Sequence, residues 1–255
     1  MRRHLRVGLG AVLLCVTVLA HAEEALPPVP PEAIAFGMLL DTLDDRPSTE
    51  TPRSSVDLIG QLAGLEHVLG RTAPTDPTRS EQLRRIAEDY VELRAASMRE
   101  ATKPYTSESA QARAMETWSA ANDKAMSFYR QLLREYPDEA KSSEVRFFLA
   151  LEVAERETHG KFQHALQDVF SKDSTSPLAP VAHFGYAELL RLDGEPARAA
   201  KEYLAITKYK GPNRVACLTR ERLSRSALFL KLKVDDGDAF SETLACERNK
   251  RAKVR

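Results

Sequence analysis

The sequence predicts an all-α protein whose middle and C-terminal parts are antiparallel helix hairpins stacked side by side. Three observations lead there. Ala, Leu, Glu and Arg are plentiful, while only 11 of 255 residues are Gly, a composition that favours helix over sheet. Apolar residues recur at steps of three and four, the period of one helical face. The third is a pattern that appears three times: an alanine, an aromatic or branched residue four positions later, then a break. Its copies are Ala125, Tyr129, Leu132 and Pro137; Ala165, Val169 and Pro177; and Ala199, Tyr203, Ile206 and Gly211-Pro212. A small alanine lets two helix backbones approach, and the larger side chain one turn later fills the groove beside it. Gly160 and Gly194 lie five residues before the alanines of the second and third copies, where glycine suits the left-handed turn that ends a helix. Pro196 suits a first helical turn, where its missing N–H costs nothing.

In chain order, residues 1–22 read as a secretory signal peptide. Arg2, Arg3 and Arg6 precede the apolar run Val7–Ala20, and Ala20-His21-Ala22 fits small-x-small cleavage after Ala22. The run is shorter than the roughly 20 apolar residues of a membrane span. Cys15 follows Leu14 inside this run, which is not the setting of a lipid-modified cysteine. Residues 23–31 form a Pro-rich linker, extended and semi-rigid. Residues 32–78 hold short helices and loops. The first helix carries Ile34, Phe36, Met38, Leu39 and Leu43. After a polar break at Arg46–Arg53, the second carries Leu58, Ile59, Leu62, Leu65, Val68 and Leu69 on one face.

Residues 79–250 form the repeat domain. Its first helix is started by Asp76-Pro77, or by Thr78 with Glu81 as a capping box. It runs to about Ala101 with a buried stripe of Leu83, Ile86, Ala87, Tyr90, Leu93 and Met98. Lys103-Pro104 interrupts, and Ser107–Tyr136 is helical with a bend near Ala120; Trp118 fills core. Val145, Phe148, Leu149 and Val153 mark the next helix. Phe162, Ala165, Leu166, Val169 and Phe170 mark its partner, and a further pair begins near Pro180. Val215–Val234 is a longer helix, turned by Asp235-Asp236-Gly237-Asp238 into a final helix that caps the stack. Residues 251–255 are a basic tail.

The alanines are spaced by 40 and then 34 residues, and a period near 34 is that of the tetratricopeptide repeat. The segment FYRQLLREYPDEA, in which Phe128–Pro137 looks like a second helix with its closing proline, resembles that family in the divergent form found in exported bacterial envelope proteins. The resemblance covers residues 107–212, and 213–250 less well. The second copy departs from it with Val169 for an aromatic and Lys172 for a small residue, and the first has Ala120 where a glycine is usual. The resemblance implies a curved groove, lined by the first helix of each pair, that binds peptides or partner proteins. On the matching helices its candidates are Phe147, Ala154 and Glu157, then Phe184, Glu188 and Arg191; the same residues serve equally for packing between repeats or for facing water. It also implies an adaptor or scaffold of the cell envelope, in assembly, division, secretion or motility. Two alternatives stand beside it: a structural subunit that self-associates through residues 32–69, and a cell-wall-binding accessory factor or enzyme.

Nothing in the sequence carries a catalytic or metal signature. His159 and His164 are five apart, not the i, i+4 of two imidazoles on one helical face, and no His-Glu-x-x-His run occurs. Asp235, Asp236 and Asp238 lack the spacing and distal Glu of a calcium loop. Neither a Gly-rich phosphate loop nor a nucleophile elbow is present. The expectation is therefore a periplasmic non-enzyme with no cofactor or metal. Its partners are envelope proteins or peptides, and it meets membrane only through them. A formal net charge of zero gives no field that would gather nucleic acid. After removal of Cys15 with the signal, Cys217 and Cys246 remain, and an oxidising compartment would let them pair. A hairpin turning near Asp235-Asp236 would leave them roughly 12 Å out of step along the helices, so a bridge requires a broken helix or a return bend; otherwise both are small buried apolar residues.

Overall fold

A computed structural model describes residues 31–44, 46, 51–139, 141–210 and 213–230. The signal peptide, most of the linker, the Asp235–Asp238 turn, the final helix and the basic tail lie outside the described residues. Within them the chain is all-helical: α1 (Pro31–Leu43), α2 (Ser55–Arg71), α3 (Arg79–Ala101), α4 (Glu108–Glu135), α5 (Ser142–Arg156), α6 (His159–Lys172), α7 (Ala179–Leu192), α8 (Pro196–Ile206) and α9 (Ala216–Leu230). No strand occurs among the described residues, and no described helix is long and apolar enough to cross a membrane. The helices fall into two compact units. Residues 44–165 make one; residues 31–43 with residues 166–230 belong to the other.

In the first unit α2, α3, α4 and α5 each pack on the next. Their core is built from Leu58, Leu62 and Leu69, then Leu83, Ile86 and Leu93, then Ala121, Tyr129 and Leu132, closed by Val145. Ser54 and Ser107 cap α2 and α4, their hydroxyls accepting from the N–H groups of Asp57 and Ala110. At the head of α3 the Asp76 carboxylate does the capping, accepting from Thr78 N at 2.8 Å and Thr78 Oγ1 at 2.6 Å; Thr78 itself makes no side-chain cap. α4 runs unbroken through Ala120 for 28 residues, about 42 Å. The α2 stripe differs from expectation at its edges: Leu58, Leu62 and Leu69 are buried, but Ile59 and Val68 are each 50% exposed. At 100° per residue those two lie on opposite flanks of the buried line.

The second unit centres on α7, which is buried on almost every side from Ala179 to Leu190. α1 and α8 pack on α7, and α9 packs on α8. Of the two short N-terminal helices, α1 packs on α7 and α2 on α3. Phe36, Leu39 and Leu43 supply the contact face of α1. The approach is close at Gly185, where an added Cβ would stand 2.8 Å from Leu43 Cδ1 and 3.1 Å from Leu166 Cδ1. Gly194 ends α7 with φ +80°. Its N–H donates to Arg191 O at 3.2 Å and that of Glu195 to Leu190 O at 2.9 Å, the paired bonds of a Schellman cap.

The expected turn at Gly160 is absent, because Gly160 is the second residue of α6. The chain turns earlier, at extended Glu157, and Thr158 O accepts from both Lys161 N and Phe162 N. The deep positions of α6 are Phe162, Leu166 and Val169, all fully buried, while Ala165 is only half-buried; spaced like Ala125, Tyr129 and Leu132, they set the second copy three residues earlier than the pattern placed it. Ala125, Tyr129, Ala199 and Tyr203 are buried as their pattern requires, and Pro137 and Pro177 lie in exposed turns.

Substituting Gly185→Val places a branched side chain against Leu43. It should cost about 1–3 kcal/mol and make the chain before residue 44 more sensitive to protease. A melting temperature equal to that of the parent would mean that α1 does not seat on α7.

Candidate interaction site

Of the six groove candidates, four are buried and two, Glu157 and Arg191, are half-buried. Phe147 and Ala154 are buried in α5, and Phe184 is buried in α7 with its ring 6.0 Å from that of Tyr203. Glu157 is half-buried at the end of α5 and pairs with Lys161 at 2.6 Å and Arg130 at 3.8 Å. Glu188 is 4% exposed. It accepts from Arg191 at 2.9 Å, from Arg222 of α9 at 2.8 Å and from the Tyr203 hydroxyl. Burial alone would raise the Glu188 pKa, but these donors and the two guanidiniums outweigh it and hold the carboxyl below its ordinary value. Glu188 and Arg191 are brought together in one network whose carboxylate is buried, while the Arg191 side chain is 37% exposed.

The first unit does carry an open cavity of about 500 Å³, between the C-terminal end of α2, the following loop and the middle of α4. Its rim is pinned. Arg79 Nη1 donates to Leu69 O at 3.0 Å and Thr72 O at 2.8 Å, satisfying carbonyls that the end of α2 leaves open. Tyr136 OH donates to Pro74 O at 2.8 Å, tying the loop to the end of α4. The floor is Phe128, whose ring stacks on Tyr90 at 5.8 Å and 13°. Above these rings stands Lys124, with Nζ 5.8 Å from the Phe128 centroid, 5.9 Å from that of Tyr90 and 3.1 Å from Glu66 Oε1. Tyr90 OH also donates to Glu66 Oε1 at 2.9 Å, and burial together with this carboxylate pushes the phenol well above its ordinary range.

The cavity thus offers an aromatic surface between one acid and one base, both partly exposed. It holds no nucleophile paired with a general base. No group of three metal-ligating side chains occurs among the described residues. The rings offer apolar contact and the two charges offer direction. None of Glu66, Arg79, Tyr90 or Lys124 stands out as a site residue in the sequence. The i, i+4 pair Lys124 and Phe128 is visible there, but Glu66 and Tyr90 reach it from two other helices.

Three further polar features shape the molecule. Glu152 of α5, fully buried, is paired with Arg46 at 2.8 Å and Arg94 at 3.1 Å, and accepts from Asn122 Nδ2 at 2.9 Å. His183 is stacked on Phe170 at 4.1 Å; its Nε2 lies 2.7 Å from Glu202 Oε2 and its Nδ1 3.2 Å from Tyr209 OH. A neutral imidazole fits both partners by donating to Glu202 and accepting from Tyr209. Burial lowers the His183 pKa despite Glu202, and burial raises that of Tyr209, so this chain of groups does not activate the phenol. Cys217 is disulfide-bonded, and its partner lies outside the described residues.

Glu152→Ala leaves two guanidiniums facing a buried vacancy and should cost about 3–5 kcal/mol of unfolding free energy, read from denaturant titration. His183 sets a pH dependence. With its folded pKa depressed below the ordinary 6.5, the unfolded chain binds more protons just below that pH, so stability falls as pH drops through this window. The stability difference between the parent and His183→Gln should change across this window, and a difference flat from pH 7 to pH 5 would contradict it.

The chain matches no protein-family model, no curated protein and no solved structure.

Proposed function

We propose that the chain is a non-catalytic, exported helical adaptor that holds a peptide or partner protein in the cavity beside Phe128. The observation that carries this reading is that cavity: a pinned rim, stacked aromatic rings, and an acid and a base side by side at an open mouth. Such a surface suits a segment with one apolar side chain for the ring and polar groups of either sign for Glu66 and Lys124. Successive packing of α2 through α5 favours the tetratricopeptide-like hairpin reading for that unit. α1 on α7 departs from nearest-neighbour stacking, so the repeat architecture is proposed for the first unit and not for the second. Export draws support from the charged and apolar residues 1–22 and from the disulfide at Cys217, because such bonds persist in oxidising compartments. The periplasm and the envelope machinery are the setting in which this reading places the adaptor.

The reading is tested by screening a peptide library on the purified chain and titrating the peptides it retains. Phe128→Ala should weaken them about tenfold or more, the loss of one aromatic anchor. Lys124→Glu should reorder which peptides are preferred, with helicity unchanged in both variants. Peptide binding indifferent to both substitutions would remove the cavity from consideration.

A further inference from the structure

α2 presents an outward face that the other described residues leave uncovered. Val56 is 75% exposed and Val68 50% exposed, two large apolar side chains on this side of a helix of 17 residues; Ile59, also 50% exposed, lies on the opposite flank. Between Val56 and Val68 lie Gly60 and Gly64, and a Cβ built on either meets nothing within 4 Å. An exposed glycine inside a helix costs about 1 kcal/mol relative to alanine, and none of the described residues takes up the space that these two leave open. The face carries charge only at its ends. Asp57 is exposed and bonded only to Ser54, and Arg71 is exposed with no carboxylate against it among the described residues. Gly64 lies seven residues from each, so Asp57, Gly64 and Arg71 fall along one line of the helix, drifting by only about 20° per seven residues.

We propose that this face is a self-association surface, on which α2 of a second copy lies antiparallel across Gly64. A two-fold axis through Gly64 sets each Asp57 opposite the partner's Arg71, so both unmatched charges are satisfied at once by a single symmetric contact. The two glycines let the backbones come closer than the usual ~8–10 Å between helix axes. Val68, four residues after Gly64, then lies against the partner copy's Gly60, four residues before it. A helix about 25 Å long buries less than the ~800 Å² per partner of a standard stable interface, so the dimer is weak and concentration-dependent. The surface points away from the core and is separate from the cavity beside Phe128. Self-association would pair two such cavities in one particle.

Sedimentation equilibrium of the full chain over a wide concentration range tests this. A monomer–dimer equilibrium is expected. Gly64→Leu should raise the dissociation constant about tenfold or more while the dilute monomer keeps its helicity and melts no lower than the parent. Asp57→Arg should weaken the dimer about threefold or more, and Asp57→Arg combined with Arg71→Asp should restore it. A chain that stays monomeric into the millimolar range would leave the face to some other protein and overturn the proposal. So would a dimer indifferent to Gly64→Leu, or a double reversal that fails to restore what the single reversal lost.

Discussion

A fully buried carboxylate at Glu152 organises the first unit. Two guanidiniums and an amide converge on it from different parts of the chain: Arg46 from the segment after α1, Arg94 from α3 and Asn122 from α4. Stripping water from an ion costs several kcal/mol, and good geometry only returns that cost. What such a network can add is register, because α3, α4 and α5 satisfy it together in one alignment. Long helices with an apolar stripe can slide by a turn and still bury it; they cannot slide and keep Glu152 paired. Asn122 lies two residues before Lys124 and six before Phe128, so the alignment that satisfies Glu152 also brings the Phe128 ring onto Tyr90 and Lys124 beside Glu66.

The second unit repeats this device with other elements. Glu188 on α7 is held by Arg191 of the same helix, Arg222 of α9 and the Tyr203 hydroxyl of α8. α7 is covered on nearly all sides, and a helix with no free face has to pair whatever charge it carries within the chain. Gly185 belongs to the same economy of space, giving up a side chain so that Leu43 can close against the helix. Both carboxylates are buried and paired within the chain, and neither stands at an open surface.

One helix, α2, connects the two surfaces on which function is proposed. Its inner line of Leu58, Leu62 and Leu69 belongs to the core, its C-terminal end borders the cavity, and its outer line of Gly60, Gly64 and Val68 faces away. It is anchored at both ends, by Ser55 to Glu100 of α3 at 2.7 Å and through its last carbonyls to Arg79. An anchored helix with a bare back is a plausible platform for recognition, because little further ordering is needed when a partner arrives.

The sequence by itself determined the helical class and several helix ends, because those depend on local chemistry: the three-and-four spacing, the break at Lys103-Pro104, Pro196 in a first turn, and the glycine at 194 with its left-handed backbone. It also marked Tyr129, Leu132, Ala199 and Tyr203 as interior. Tertiary structure decided how many faces of each helix are covered. A periodic stripe shows that one side is buried and says nothing of the others. For that reason Phe147, Ala154, Phe184 and Glu188, which look like the lining of a groove, lie inside, while Ile59 and Val68, which look like core, lie outside. It also decided that α1 reaches across the chain to α7, and that Glu66, Tyr90, Lys124 and Phe128 meet. Each is a contact between residues far apart in sequence, set by shape and charge fit in three dimensions, and no local pattern encodes it.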